Sequence, residues 1–176
     1  MIEKTVIIMR AWPGCGKSTL ARAIVESLTS GDDYHDILGV RVCSADSFHV
    51  DKDGVYRWSF ERSRLGHDYC RGKFSQAVIS NCSLIIVDNT NIKRKDYGWY
   101  VANARAMGYK VYQAIPETPW MHSVDECFKR NVHNVPLDTI QRMMASFEYD
   151  NELERFNLSD EWKARLPTLA AFGASG

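Results

Sequence analysis

Thr5-Val6-Ile7-Ile8-Met9-Arg10-Ala11-Trp12-Pro13-Gly14-Cys15-Gly16-Lys17-Ser18-Thr19 runs an apolar stretch into a glycine-rich turn and then into Lys-Ser-Thr. A strand, a Gly-rich loop and a helix in that order form a cradle for the phosphates of a nucleotide. The strict pattern G-x-x-x-x-G-K-[ST] is met at Gly16-Lys17-Ser18, but Ala11 stands where the first glycine belongs. Gly14 and Gly16 still allow positive φ and a close approach of backbone amides to phosphate oxygens. The first turn of the following helix adds free N–H groups and the positive end of its dipole. This reading assigns Pro13, Gly14, Cys15, Gly16, Lys17, Ser18 and Thr19 to a nucleotide, with Lys17 on the β/γ-phosphates and the Ser18 hydroxyl on magnesium. The alternative is an ordinary glycine-rich strand-to-helix turn.

Outward from this loop, short apolar runs alternate with helical patterns. Strand-like runs cover residues 5–10, 39–44, 83–88 and 109–115, and helical patterns cover 17–28, 59–79, 94–107, 120–130 and 137–154. In the second helical stretch, Phe60, Leu65, Tyr69, Phe74, Ala77 and Val78 recur near helical spacing, and Gly108 supplies a stop after the third. Residues 50–58, with Asp53-Gly54, read as a loop or short hairpin. Alternating β and α with apolar strands predicts an α/β fold. The expected architecture is a P-loop NTPase-type three-layer fold, with a central parallel sheet of about four to five strands and helices on both faces. The chain reads as a single domain, with a helical lid region around 120–136 and a fraying tail over 167–176.

With 176 residues, 45% of them hydrophobic, the chain is long enough for one substantial core. Formal net charge is zero, so no global basic field advertises a nucleic-acid partner, although a local basic cleft would suffice. Five cysteines without a CxxC pair read as reduced, buried thiols of a cytosolic protein. The N-terminus enters a strand with no signal-peptide pattern, and no apolar run is long enough to span a membrane, so the expected location is cytoplasmic. Oligomeric state is not legible.

In parallel sheets, ligands bind beyond the C-terminal ends of the strands. The second strand exits into Ser44-Ala45-Asp46-Ser47-Phe48-His49 and the third into Asp88-Asn89-Thr90-Asn91. Asp46 is the candidate general base for an attacking hydroxyl, with a helix cap as the alternative. Asp88 ends the run Leu84-Ile85-Ile86-Val87-Asp88 in the manner of a Walker B strand and is the candidate magnesium ligand beside Ser18. Thr90 and Asn91 either bond a substrate phosphate or cap the next helix. Lys93-Arg94-Lys95 opens that helix, where each positive charge costs about 0.3–1 kcal/mol against the dipole. The run suggests an external anion, with Lys93 and Arg94 on a nucleic-acid backbone, or else a solvated basic turn. Arg130, at the end of a helix, is a candidate lid residue that neutralises transition-state charge over the nucleotide. His49 and His133 read as substrate contacts or as polar surface.

Pro13-Gly14-x-Gly16-Lys17-Ser18, Ser44-Ala45-Asp46, Val87-Asp88-Asn89-Thr90-Asn91, Pro116-Glu117-Thr118-x-Trp120 and Arg130-Asn131-x-His133-x-Val135-Pro136 together resemble the P-loop kinase domains of the phage polynucleotide kinase type. They are closer still to related kinase domains of larger eukaryotic and bacterial proteins. The resemblance runs from about residue 5 to about residue 148. It implies ATP- and Mg2+-dependent phosphorylation of a hydroxyl, typically the 5′-OH of DNA or RNA. It makes Asp46 the general base, Lys17 and Ser18 the phosphate and metal ligands, and Arg130 a lid arginine. The phage enzyme has an arginine on the substrate phosphate three residues after the base, where this chain has His49. A second lid arginine is replaced by His133-Asn134.

The leading expectation is therefore a nucleic-acid 5′-OH kinase. One alternative moves the acceptor to a hydroxymethylated base, such as 5-hydroxymethyluracil, in phage DNA. The others are a small-molecule or peptide kinase and a nucleotide-binding switch without chemistry.

Overall fold

The computed structural model describes residues 3–29 and 39–159. The expected tail over 167–176 lies outside them. Four strands, β1 (Thr5–Met9), β2 (Val40–Cys43), β3 (Leu84–Asp88) and β4 (Lys110–Ala114), form one sheet in the order β2-β3-β1-β4. All pairings are parallel, with Met9 opposite both Asp88 and Ala114, and Cys43 opposite Val87. The C-terminal ends of the strands therefore lie along one edge.

The two central strands explain themselves by composition. Val6, Ile7, Ile8 and Met9 are fully buried, as are Ile85, Ile86 and Val87. β-Branched side chains suit the pleat, and a parallel sheet covered on both faces needs apolar residues at every position. Each such burial stabilises by about 1.5–3 kcal/mol. Alternation divides them between two cores. Val6, Ile8, Ile85 and Val87 pack with Phe74 of α2 (Phe60–Ile79) and with Tyr97 and Tyr100 of α3 (Arg94–Ala106). Ile7, Met9 and Ile86 pack with Ala21 and Ile24 of α1 (Lys17–Thr29). The α/β three-layer expectation holds, with four strands among the described residues.

Two helices are shorter than the sequence predicts. The helix expected over 120–130 is α4, Val124–Arg130. Its true start is marked by Ser123, whose hydroxyl accepts from the Glu126 N–H at 3.3 Å, and residues 118–123 form tight turns instead. The helix expected over 137–154 is α5, Leu137–Ala145. Residues beyond it return along the free edge of β4. The Gln113 N–H donates to Glu154 at 2.9 Å and the Phe156 N–H donates to Gln113 at 2.8 Å. Pairing an exposed sheet edge outweighs the local helical pattern there. Residues 50–56 form the expected short hairpin, closed by a bridge between Val50 and Tyr56. Among the described residues no helix is long and apolar enough to cross a membrane.

Candidate functional site

The loop between β1 and α1 is shaped by Gly14 (φ 77°) and Gly16 (φ 97°), a region in which side chains are strained. At Gly14 a Cβ would sit 1.8 Å from the Cys127 carbonyl oxygen of α4, so only glycine fits. Ala11 is fully buried beneath the loop among Trp12, Cys15, Trp120 and Ile140, and its N–H donates to Thr90 at 2.9 Å. Its φ is not positive, so the missing first glycine costs the backbone nothing. The loop is also clamped from the exit of β4. The Thr118 hydroxyl donates to the Cys15 carbonyl at 2.9 Å and the Trp120 indole N–H donates to the Gly14 carbonyl at 3.1 Å. This gives a physical role to the Thr118-x-Trp120 motif that the sequence offered only through resemblance.

Cys15 is a packing residue of this loop. Burial pushes its thiol up to about 12, and its sulfur lies 2.7 Å from the Trp12 carbonyl. A thiol above its usual range stays protonated and unreactive at neutral pH. Since all five cysteines are buried, we expect a native thiol titration with DTNB at pH 8 to label less than one equivalent, and all five only after denaturation. Rapid labelling of one equivalent in the folded protein, mapped to Cys15, would contradict this.

Lys17 forms a close ion pair with Asp88, both side chains about nine-tenths covered. The Ser18 hydroxyl group belongs to an exposed residue of the first turn of α1. Asn89 links the exits of β2 and β3, its side-chain oxygen accepting from the Ala45 N–H at 2.8 Å. Asp46 opens a short 3₁₀ turn, Asp46–His49, and remains partly exposed. The Tyr56 hydroxyl donates to Asp46 Oδ1 at 2.9 Å, and His133 Nε2 lies 3.6 Å from Asp46 Oδ2. The sequence offers no sign that Tyr56 bonds Asp46 beyond its place in the hairpin that follows.

Arg130 pairs with Glu126 and lies over the Trp120 ring at 4.6 Å. Trp120 in turn bonds Gly14, so the arginine is one side chain removed from the phosphate loop. His49 corrects an expectation. It is 3% exposed, packed edge-on against Phe48 and Tyr56 under α2 at Gly66, where a Cβ would come 2.7 Å from its Nε2. Burial also lowers its pKa, so it sits as a neutral packing group and not as a phosphate contact. Asn91 is likewise interior: at φ 47° its amide donates to the Met9 carbonyl at 2.7 Å. Thr90 is half-buried, with its carbonyl on Ala11.

In the basic run at α3, Arg94 finds its anions within the chain. The Lys93 N–H donates to the Asp96 carboxylate at 2.8 Å. Arg94 donates its N–H to Glu148 at 2.8 Å, and its guanidinium faces Asp150 at 3.4 Å and Glu152 at 3.6 Å. Carboxylates from the segment after α5 thus offset the Arg94 charge. Arg94 turns toward that segment.

Arg10, the largest fully buried side chain among the described residues, has no role in the sequence reading. Its guanidinium is fully buried. It donates to the carbonyls of Asn91 at 3.1 Å and Ile92 at 3.3 Å, to the Gln113 side chain at 2.8 Å and to the Glu148 carbonyl. Tyr97 and Phe147 cover its faces at 4.5 and 4.7 Å.

Comparison with known proteins agrees with this geometry. The AAA_33 family, described as an AAA domain, matches residues 6–149, so the chain belongs to that family. It is 30% identical over 143 residues to human NEDD4-binding protein 2, covering 81% of this chain and 8% of that protein. It is 30% identical over 150 residues to 2′,3′-cyclic-nucleotide 3′-phosphodiesterase of Rattus norvegicus, covering 84% of this chain and 32% of the relative. The chain thus spans a third or less of the length of these relatives. Similar solved folds include a sugar kinase from Janibacter (TM-score 0.52, 18% identity, 89% of this chain and 84% of that one). Another is the Pnkp1/Rnl/Hen1 complex (TM-score 0.55, 16% identity, 91% and 48%). A third is the Mycobacterium tuberculosis APS kinase CysC with AMPPNP and APS (TM-score 0.51, 14% identity, 91% and 86%). The fold is P-loop kinase-like, a parallel sheet between helices as in these structures.

Proposed function

We propose that this AAA-domain chain moves the γ-phosphoryl group of ATP to a hydroxyl of nucleic acid, most simply the 5′-OH end of DNA or RNA. The observation that carries the reading is that Lys17, Ser18 and Asp88 lie at the same sheet edge as the partly exposed carboxylate of Asp46. Bound ATP with magnesium supplies the phosphoryl group and offsets the charge that develops on it. Lys17 turns from Asp88 to the phosphates, and the N–H groups at the start of α1 hold them. Ser18 and Asp88 are hard oxygen ligands suited to Mg2+. Mg2+ held there would take its remaining ligands from phosphate and water. Asp46 accepts the proton of the acceptor hydroxyl. Arg130, in the lid over residues 120–136, neutralises charge on the transferring group.

The nucleic-acid acceptor is supported by the surface beside Asp46. Trp58 is 53% exposed and Phe60 82% exposed, two and four residues past Tyr56. Arg57, Arg62 and Arg64 are exposed among them. Exposed aromatics interleaved with arginines stack bases and meet phosphates without sequence preference. A relative named for 2′,3′-cyclic nucleotides and the similarity to the Pnkp1 complex favour the same class.

A panel of 5′-OH DNA, 5′-OH RNA and hydroxymethylated duplex DNA, incubated with γ-labelled ATP, tests the reading. We expect label on a 5′ end, with acceptor affinity falling as salt rises. Label on the modified base would move the acceptor inside the duplex. Transfer to none of the three, with transfer to a small hydroxyl compound, would sink the nucleic-acid assignment.

A further inference from the structure

The Asp46 carboxylate is hydrogen-bonded at Oδ1 and faced at Oδ2 by residues from two separate segments. Tyr56 comes from the hairpin closed by the Val50–Tyr56 bridge, and the Arg57 N–H donates to the His49 carbonyl at 2.7 Å beside it. Its hydroxyl meets Oδ1 at 2.9 Å. His133 comes from the loop between α4 and α5, and its Nε2 faces Oδ2 at 3.6 Å. The two rings lie against each other, centroids 4.5 Å apart. The loop is folded to present His133. The Asn131 side chain accepts from the His133 N–H at 3.1 Å and donates to the Val135 carbonyl at 2.9 Å, and Asn134 adopts φ 53°.

We propose that Tyr56 and His133 are positioning residues that clasp Asp46 and couple its orientation to the loop that follows Arg130. The inference rests on Asp46 being the acceptor base. A free aspartate rotates about two bonds and presents its lone pairs in many directions. A donor fixed on Oδ1 leaves Oδ2 aimed at one place, where a well-oriented base gains most. The proton leaving the acceptor hydroxyl goes to Oδ2, and Tyr56 keeps its own. The His133 contact is longer than a hydrogen bond, so it guides Oδ2 without occupying it. Because His133 lies three residues from Arg130, a shift of the lid that moves the arginine toward the nucleotide also moves the partner of the base. Donor and acceptor halves then align together.

The full chain is tested as Tyr56→Phe, His133→Ala, His133→Gln, Asp46→Asn and the Tyr56→Phe/Asp46→Asn double variant. Transfer is read as ADP formed with a nucleic-acid end, or with water as the acceptor, beside a separate measurement of ATP affinity. We expect Tyr56→Phe to lower kcat by about 10- to 100-fold, as loss of a hydrogen bond to a charged group does, with ATP affinity unchanged. His133→Ala should lower kcat by a smaller factor, and His133→Gln, which keeps a polar side chain facing Oδ2, should restore most of it. In the Asp46→Asn background Tyr56→Phe should cost less than about twofold more, since coupled residues are not additive. Equal losses in both backgrounds, or Tyr56→Phe within twofold of wild type, would overturn the clasp while leaving the base in place. Asp46→Asn at the wild-type rate would remove the base assignment itself and the clasp with it.

Discussion

Asp46→Asn should leave ATP binding intact and lower phosphoryl transfer by about 10²–10⁴-fold, the usual worth of a positioned base. The substitution keeps the size of the side chain and still offers an oxygen to the Tyr56 hydroxyl, which now donates to Oδ1 at 2.9 Å. What is lost is the capacity to take a proton. Asp46 lies on the exit of β2, and its side chain meets Tyr56 and His133, neither of which belongs to the phosphate loop. Nucleotide affinity and acceptor chemistry are thereby separable in one variant. ATP affinity from calorimetry and single-turnover transfer give the two readings. A variant that transfers at the wild-type rate would show that another group takes the proton, and one that loses ATP binding would show that Asp46 supports the donor side.

Arg10→Met should destabilise the fold by at least about 3 kcal/mol, the scale for removing one partner from a buried charged network. For a chain of this length that corresponds to a fall in Tm of about 6–12 °C. The guanidinium joins four chain segments: β1, the exit of β3 at Asn91 and Ile92, β4 at Gln113, and the stretch after α5 at Glu148. Removing it takes the donor from the Asn91 and Glu148 carbonyls and from the Gln113 side-chain oxygen, while the Ile92 carbonyl keeps the Glu148 N–H at 3.0 Å, and a buried acceptor left unpaired costs about 1–3 kcal/mol. Burial already lowers its pKa, yet the arginine stays charged, because its ordinary value lies so far above neutral pH. Arg10→Lys should recover only part of the loss, since a single ammonium cannot span acceptors arranged around a planar fork. A thermal melt within 2 °C of wild type for Arg10→Met would show that the segment after α5 is held without it.

Much of the donor half was legible because it is local. Gly14, Gly16, Lys17 and Ser18 are neighbours in the chain, and the turn they make follows from their own dihedral freedom and charge. Asp46 and Asp88 were legible by a rule of topology, since strands that run parallel bring their exits to one edge. Long-range contacts were not legible. Asn91 looks like a site residue from its place after β3, but its amide finds the Met9 carbonyl, and buried polar groups take the nearest partner. His49 stands where a phosphate-binding arginine is expected, yet it is 3% exposed. The helix expected over 137–154 stops at Ala145, because the open edge of β4 competes for the backbone hydrogen bonds of the residues beyond.

The amino-acid sequence by itself determined the ligand class and the fold class. Short-range sterics and the apolar runs of β1 and β3 leave few alternatives to a phosphate loop on a parallel sheet. The tertiary structure decided which polar residues face outward and which are consumed within. Arg94 is taken by Asp150 and Glu152, while Arg130 rests on Glu126 and Trp120, one side chain from the phosphate loop. Asp46 is met by Tyr56 and His133. Those partners come from segments far apart in the chain, and only the packing of the whole fold determines which charges meet.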